Sequence, residues 1–298
     1  MPGGLMQSLK ERVLLFDGGM GSMMISEGLG RTEIPESWIE DSPEKIRRIH
    51  RDYIEAGADV IQTATFGASS IKLQSASGGA KLDPDRINAL AAEMLREEID
   101  SDGAACLAAG DIGPTGKFFH PVGNLDEKEA LESFRVQARA LAGGGVDLLL
   151  IETMSDLREA LTALRAAREV TDLPVIVELT FQKKRGGYFT IMGNTPEEAL
   201  ESLKREGAAM AGANCTLDSA GMKPLAGVMI GLAELPLIFQ PNAGQPVMRE
   251  GRAVYLQKPE EFASDMAEIA EMGAGAVGGC CGTGPDFIRA LRERLGPQ

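Results

Sequence analysis

The sequence predicts a single (β/α)8 (TIM) barrel, and three observations carry that expectation. Eight short apolar runs recur along the chain, each followed by turn residues. Amphipathic stretches separate the runs, with starts roughly 30 to 50 residues apart, as repeated βα units require. The runs are continuously apolar rather than alternating, which marks a parallel sheet covered on both faces. A doubly wound open sheet is the alternative architecture.

Taken in order, the expected strands are 13–16, 58–63, 104–109, 146–151, 174–179, 208–213, 236–239 and 273–277. Seven amphipathic stretches lie between them and an eighth, 285–295, closes the chain. Four strands are approached in the same way: Glu55-Ala56-Gly57-Ala58, Gly143-Gly144-Gly145-Val146, Glu206-Gly207-Ala208 and Glu271-Met272-Gly273-Ala274. Each reads as a helix end, a glycine cap and then a strand. With 298 residues and no composition break or low-complexity tract, the expectation is one domain over 1–298.

Composition narrows the partners. A net charge of −14 repels phosphate backbones, so nucleic acid is an unsuitable partner and an anionic membrane surface a poor one. No window approaches the about 18 apolar residues of a membrane-spanning helix. The segment 1–12 lacks the apolar core of a signal peptide. The expected compartment is therefore cytoplasmic. There four cysteines stay reduced, which favours metal binding or catalysis over disulfides.

In a barrel, chemistry sits where strands end. Polar residues concentrate there: Asp17-Gly18-Gly19, Gln62-Thr63, Asp111, Glu152-Thr153, Asn214-Cys215, Pro241-Asn242 and Gly279-Cys280-Cys281-Gly282. Vicinal cysteines pair poorly with each other, but between glycines their sulfurs can turn toward one centre. Cys215, two strands away, supplies a third sulfur. Three thiolates suit zinc and leave its fourth position open, the arrangement of a catalytic site. The two histidines, His50 and His120, fall elsewhere, which disfavours a histidine-rich hydrolase. Cys106 lies inside the third run and reads as core. Sulfur-rich zinc is a poor activator of water and a good partner for a substrate thiol, whose pKa it lowers. Water activation with Glu152 or Asp17 as base is the alternative.

These residues together carry a resemblance. Asp17-Gly18-Gly19-Met20-Gly21, Gly110-Asp111-Ile112-Gly113-Pro114-Thr115-Gly116, Gly212-Ala213-Asn214-Cys215, Pro241-Asn242-Ala243-Gly244 and Gly278-Gly279-Cys280-Cys281-Gly282-Thr283 resemble the homocysteine S-methyltransferase family. The likeness covers nearly the whole chain. It is strongest to the homocysteine-binding module of cobalamin-dependent methionine synthases.

The resemblance implies zinc on Cys215, Cys280 and Cys281, and a methyl transfer that turns homocysteine into methionine. It implies that Asp17 and Glu152 hold the amino group and that backbone amides near Gly19 and Met20 take the carboxylate. Thr63 and Asn214 are expected to contact the substrate, and Asn242 to fill the open metal position before the thiol arrives. The family's second strand commonly ends Glu-Thr-Asn-Thr-Phe, whereas this chain has Gln62-Thr63-Ala64-Thr65-Phe66. The modules that follow in full methionine synthases have no counterpart before Gln298, so an external donor is expected. A separate corrinoid protein carrying methylcobalamin comes first, S-methylmethionine or another sulfonium second, and betaine third. Betaine calls for an aromatic cage, to which only Trp38 offers itself. A non-catalytic module that docks onto a corrinoid protein is the reading from another class.

Overall fold

The computed structural model describes residues 4–75, 82–249 and 252–296. Eight parallel strands form its centre: β1 Leu14–Leu15, β2 Val60–Gln62, β3 Leu107–Ile112, β4 Leu148–Met154, β5 Val175–Leu179, β6 Met210–Asp218, β7 Leu237–Asn242 and β8 Ala276–Val277. They pair in chain order from β2 to β8, and β8 pairs with β1. A bridge from Phe16 to Val60 and the bond from the Asp17 N–H to the Val60 carbonyl join β1 to β2. The sheet is thereby closed into the expected barrel, and the open alternative is excluded.

Each strand overlaps its expected run, but β3, β4, β6 and β7 continue three to five residues further. Asp111, Glu152, Asn214 and Cys215 accordingly lie within strands rather than beyond them. The ladder slips its register between Ile151 and Met154 on β4 and between Asn214 and Asp218 on β6. Such bulges re-aim side chains next to functional sites.

The helices owe their starts to short acidic or hydroxyl side chains at the strand-to-helix turns. Asp83, Asp126, Asp156 and Asp218 each accept a backbone N–H of the first turn, and Thr195 with Glu198 forms a capping box ahead of Pro196. Their ends show the expected left-handed glycines: Gly57, Gly145, Gly207 and Gly273 have φ of 92°, 92°, 83° and 114°.

Two apolar clusters follow. A large outer one lies between strands and helices. An inner one fills the barrel with Leu14, Val60, Leu148, Leu150, Ile176, Met210 and Ile238, and the amino-terminal helix Leu5–Glu11 adds Leu5 to it. No helix among the described residues is long and apolar enough to cross a membrane.

His50, on the helix Pro43–Glu55, is fully buried and neither ring nitrogen has a hydrogen-bond partner. Burial pushes its pKa down to about 4. An unfolded histidine takes its proton near pH 6.5. Between those values the unfolded chain binds a proton that the folded chain refuses, so stability falls as pH drops from about 6.5 toward 4. Replacing His50 by Leu removes this loss. From pH 7 to pH 5 the variant should gain about 2 kcal/mol relative to wild type in urea unfolding, and an unchanged difference would refute the assignment.

Candidate metal centre

The β8 strand is two residues long, and a glycine-rich turn carries the chain from it across the mouth of the barrel. Backbone bonds fix this turn on both sides. The Gly279 N–H donates to the Asp17 carbonyl, the Cys280 N–H to the Pro241 carbonyl, and the Ala243 N–H to the Cys281 carbonyl. The Thr283 carbonyl accepts from the Gly19 N–H and from the Tyr53 hydroxyl, at 2.9 and 3.0 Å. There is no room for side chains here. A Cβ on Gly279 would lie 2.2 Å from the Thr283 hydroxyl, and one on Gly18 would lie 2.4 Å from the Thr283 carbonyl.

Cys280 and Cys281 are thus held over the mouth with their sulfurs 3.9 Å apart. Cys215 meets them from β6, and the three sulfurs all lie within 4.8 Å of one another. At a tetrahedral zinc with bonds of about 2.3 Å, sulfurs sit about 3.8 Å apart. The set therefore fits zinc in spacing and in donor chemistry. Its charge argues the same way. The S–H groups of Cys280 and Cys281 hold the Cys215 thiol down at about 3, while these contacts push Cys280 well up and Cys281 up to about 11.

The bulge on β6 places Cys215 and Thr216 at φ of 53° and 59°, and Thr153 at the bulge of β4 has φ 58°. Non-glycine residues rarely adopt this left-handed region, and it clusters at functional sites. Asn214 ties the two bulges together. Its side-chain oxygen accepts the Thr153 N–H at 2.9 Å, and its amide nitrogen donates to the Thr153 hydroxyl and to the Glu152 carboxylate. Asn214 is 1% exposed, so it positions Glu152.

The other expected residues fall around this centre. The Asn242 oxygen accepts the Cys281 N–H at 3.2 Å, and its side chain also stabilises the Cys215 thiolate. Asp17 is fully buried, with both oxygens accepting from Gln62 at 2.9 Å. Burial pushes Asp17 up to about 7 against those two bonds, and Glu152 adds to the rise. Burial likewise raises Glu152 to about 7, and the neighbouring Cys215 thiolate contributes. The Thr63 hydroxyl accepts the Asp111 N–H and bonds the Thr65 hydroxyl, so it braces β2 against β3.

The Gly19 N–H donates to the Thr283 carbonyl. A Cβ there would lie 2.6 Å from the Cys280 carbonyl. Met20, which opens the helix Met20–Ser26, keeps a first-turn N–H that the helix does not use.

Trp38 is buried, donates to Glu33, and has Lys45 4.1 Å above its ring, so it forms no aromatic cage. Cys106 lies just before β3, far along the strand from the mouth, and donates to the Ala58 carbonyl. Sequence reasoning passed over Tyr255. Its side chain stands beside Cys281, and its ring fills the space beside Gly282, where a Cβ would lie 2.2 Å away.

A family model described as homocysteine S-methyltransferase matches residues 14–295. The chain is similar to methionine synthase from Mycobacterium leprae (strain TN), at 30% identity over 300 residues covering 96% of this chain and 24% of the relative. It is equally similar to methionine synthase from Mycobacterium tuberculosis (strain ATCC 25618 / H37Rv), at 30% over 305 residues covering 96% and 25%. It thus spans about a quarter of the length of these relatives. Among solved structures, the metallated form of the homocysteine methyltransferase MmuM from Escherichia coli superposes with a TM-score of 0.77. The identity is 22%, over 96% of this chain and 97% of that one, a likeness of fold.

Replacing Cys215 by Ser should leave the protein folded and remove stoichiometric zinc, read by elemental analysis. Asn242→Ala should keep the three sulfurs but weaken zinc binding by about 10- to 100-fold in a chelator competition. Full zinc retention in the Cys215 variant would exclude it as a ligand.

Proposed function

We infer, from the premise that this chain belongs to the homocysteine S-methyltransferase family, that it binds homocysteine and passes a methyl group to its sulfur, giving methionine. The observation that carries this reading is the convergence of Cys215, Cys280 and Cys281 within 4.8 Å at the C-terminal mouth of the barrel. Zinc held by these three sulfurs would offer one further position to a substrate thiol and make it a thiolate at neutral pH.

The chain's own residues do the rest. Asp17 and Glu152 present carboxylates to the acceptor's ammonium. Asn214 fixes Glu152 through its short bond, and the free first-turn N–H of Met20 faces the acceptor's carboxylate. Asn242 stands beside the sulfurs, where it gives way as the thiol comes in. Two carboxyls with pKa values near 7 ionise more readily once an ammonium lies between them, so binding and charge support each other. The methyl transfer itself needs no proton donor, because the nucleophile has already lost its proton.

For the donor we favour a methyl-corrinoid protein outside this chain. Exposed apolar side chains gather on the loops that follow β2, β3, β5 and β7, including Phe66, Val122, Ile191, Val247, Met248 and Leu256. Such a rim around the mouth suits a macromolecular donor better than a small free one. Burial of Trp38 removes the residue that would have favoured betaine. A docking module without chemistry would have no use for three convergent thiols.

Zinc-loaded protein should release protons when homocysteine is added and form methionine with one of four donors: a methyl-corrinoid protein, S-methylmethionine, betaine or dimethylsulfoniopropionate. Cys280→Ala should reduce methionine formation to background, and Glu152→Gln should raise the KM for homocysteine by about 10- to 100-fold. Unimpaired turnover by the Cys280 variant would sink the mechanism.

A further inference from the structure

The turn that carries Cys280 and Cys281 is flanked by glycine, with Gly278 and Gly279 before the pair and Gly282 after it. Glycine gives a chain its greatest freedom, so such a turn needs bracing from outside to keep two sulfurs aimed at one point. Before the pair, neighbouring strands brace it through the bonds of Gly279 to Asp17 and of Cys280 to Pro241. After the pair, the Gly282 N–H donates to the Ser22 hydroxyl at 2.8 Å, and Tyr255 lies directly on the glycine.

The fit between ring and turn is close. A Cβ on Gly282 would lie 2.2 Å from Cγ of Tyr255 and 2.5 Å from its Cβ and its Cδ2. Gly282 also has φ of 83°, so glycine suits the turn on both counts. The ring takes the place that a side chain at 282 would fill. Tyr255 is half-buried and packs on the outer apolar cluster. Burial raises its phenol well above the ordinary pKa, and Cys281, Cys215 and Cys280 each add to the rise, so all three sulfurs stand near it.

The segment that presents Tyr255 is itself tied to the sulfur-bearing segments. It leaves β7 at Ala243, whose N–H donates to the Cys281 carbonyl. It passes through a short hairpin, Val247–Arg249 against Arg252–Val254, and returns to the Ala243 carbonyl through the Gln257 N–H at 3.2 Å. The Gln245 amide nitrogen donates to the carbonyl of Thr216, the residue after Cys215, at 3.3 Å. The loop thus fixes Tyr255 relative to β6 and to the β8 turn together.

We propose that Tyr255 is a positioning residue of the metal centre: its ring clamps the Cys280–Cys281 turn in the shape that holds zinc and keeps water from the sulfurs on that side. This rests on the zinc reading above and assigns a residue that reading does not use. The ring carries the role rather than the hydroxyl, because the contact with Gly282 is made by Cβ, Cγ and Cδ2. Groups that order metal ligands or exclude solvent from them are worth about 10- to 100-fold in metal affinity.

The test is zinc transfer from the loaded chain to an excess of a chromophoric chelator, with no substrate present. Tyr255→Ala should give up zinc at least about tenfold faster than wild type, while Tyr255→Phe, which keeps the ring, should stay within about twofold. Urea unfolding of the metal-free and loaded forms separates this from plain packing. A ring that only fills space costs both forms equally, whereas a ring that serves the metal costs the loaded form more, so the stabilisation conferred by zinc should shrink in the Ala variant. Equal zinc transfer by wild type and Tyr255→Ala, or an equal loss of stability in both forms, would overturn the proposal. A Phe variant as fast as the Ala variant would also overturn it, by moving the role to the hydroxyl. Should the Ala variant not fold, Tyr255→Leu, which keeps bulk but no ring, faces the same criteria. If wild type holds no stoichiometric zinc, the zinc reading fails and takes this proposal with it; in every other outcome that reading stands.

Discussion

The seam between β8 and β1 is the constraint on which both fold and site depend. Thr283 sits at its centre. Its carbonyl receives Gly19 and Tyr53, and its hydroxyl donates to the Cys280 carbonyl at 2.6 Å. The same crossing passes within van der Waals contact of Gly18 and Gly279, so neither strand end can bear a side chain there. Closing the barrel and aiming two of the three sulfurs are therefore one event.

Acidic groups are concentrated at the site. Three thiols lie against one another, and four carboxyl groups are gathered in and beside the barrel mouth. In isolation each set keeps protons to limit repulsion, as the raised carboxyl values and the shared proton pattern of the cysteines show.

Much of this was legible in the sequence because it rests on local rules. The eight apolar runs, the glycine caps and the cysteines at strand ends all follow from periodicity and turn chemistry. The bulges did not, because Thr153, Cys215 and Thr216 adopt left-handed backbone without a glycine to announce it. That is why β4 and β6 were expected to stop before Glu152 and Cys215. The bond from the Gly19 N–H to the carbonyl of the distant Thr283 was not legible either, because nothing local announces it.

Backbone strain is concentrated at Cys215, whose φ is 53°. A left-handed residue that is not glycine costs about 1 kcal/mol or more. Glycine would occupy that turn without strain, as glycines do at the helix ends of this chain. The fold keeps a cysteine there and ties the bulge down with Asn214, whose three side-chain bonds reach across to β4. Those bonds also set Glu152 in place. The strained backbone thus couples the third sulfur to the carboxylate next to it.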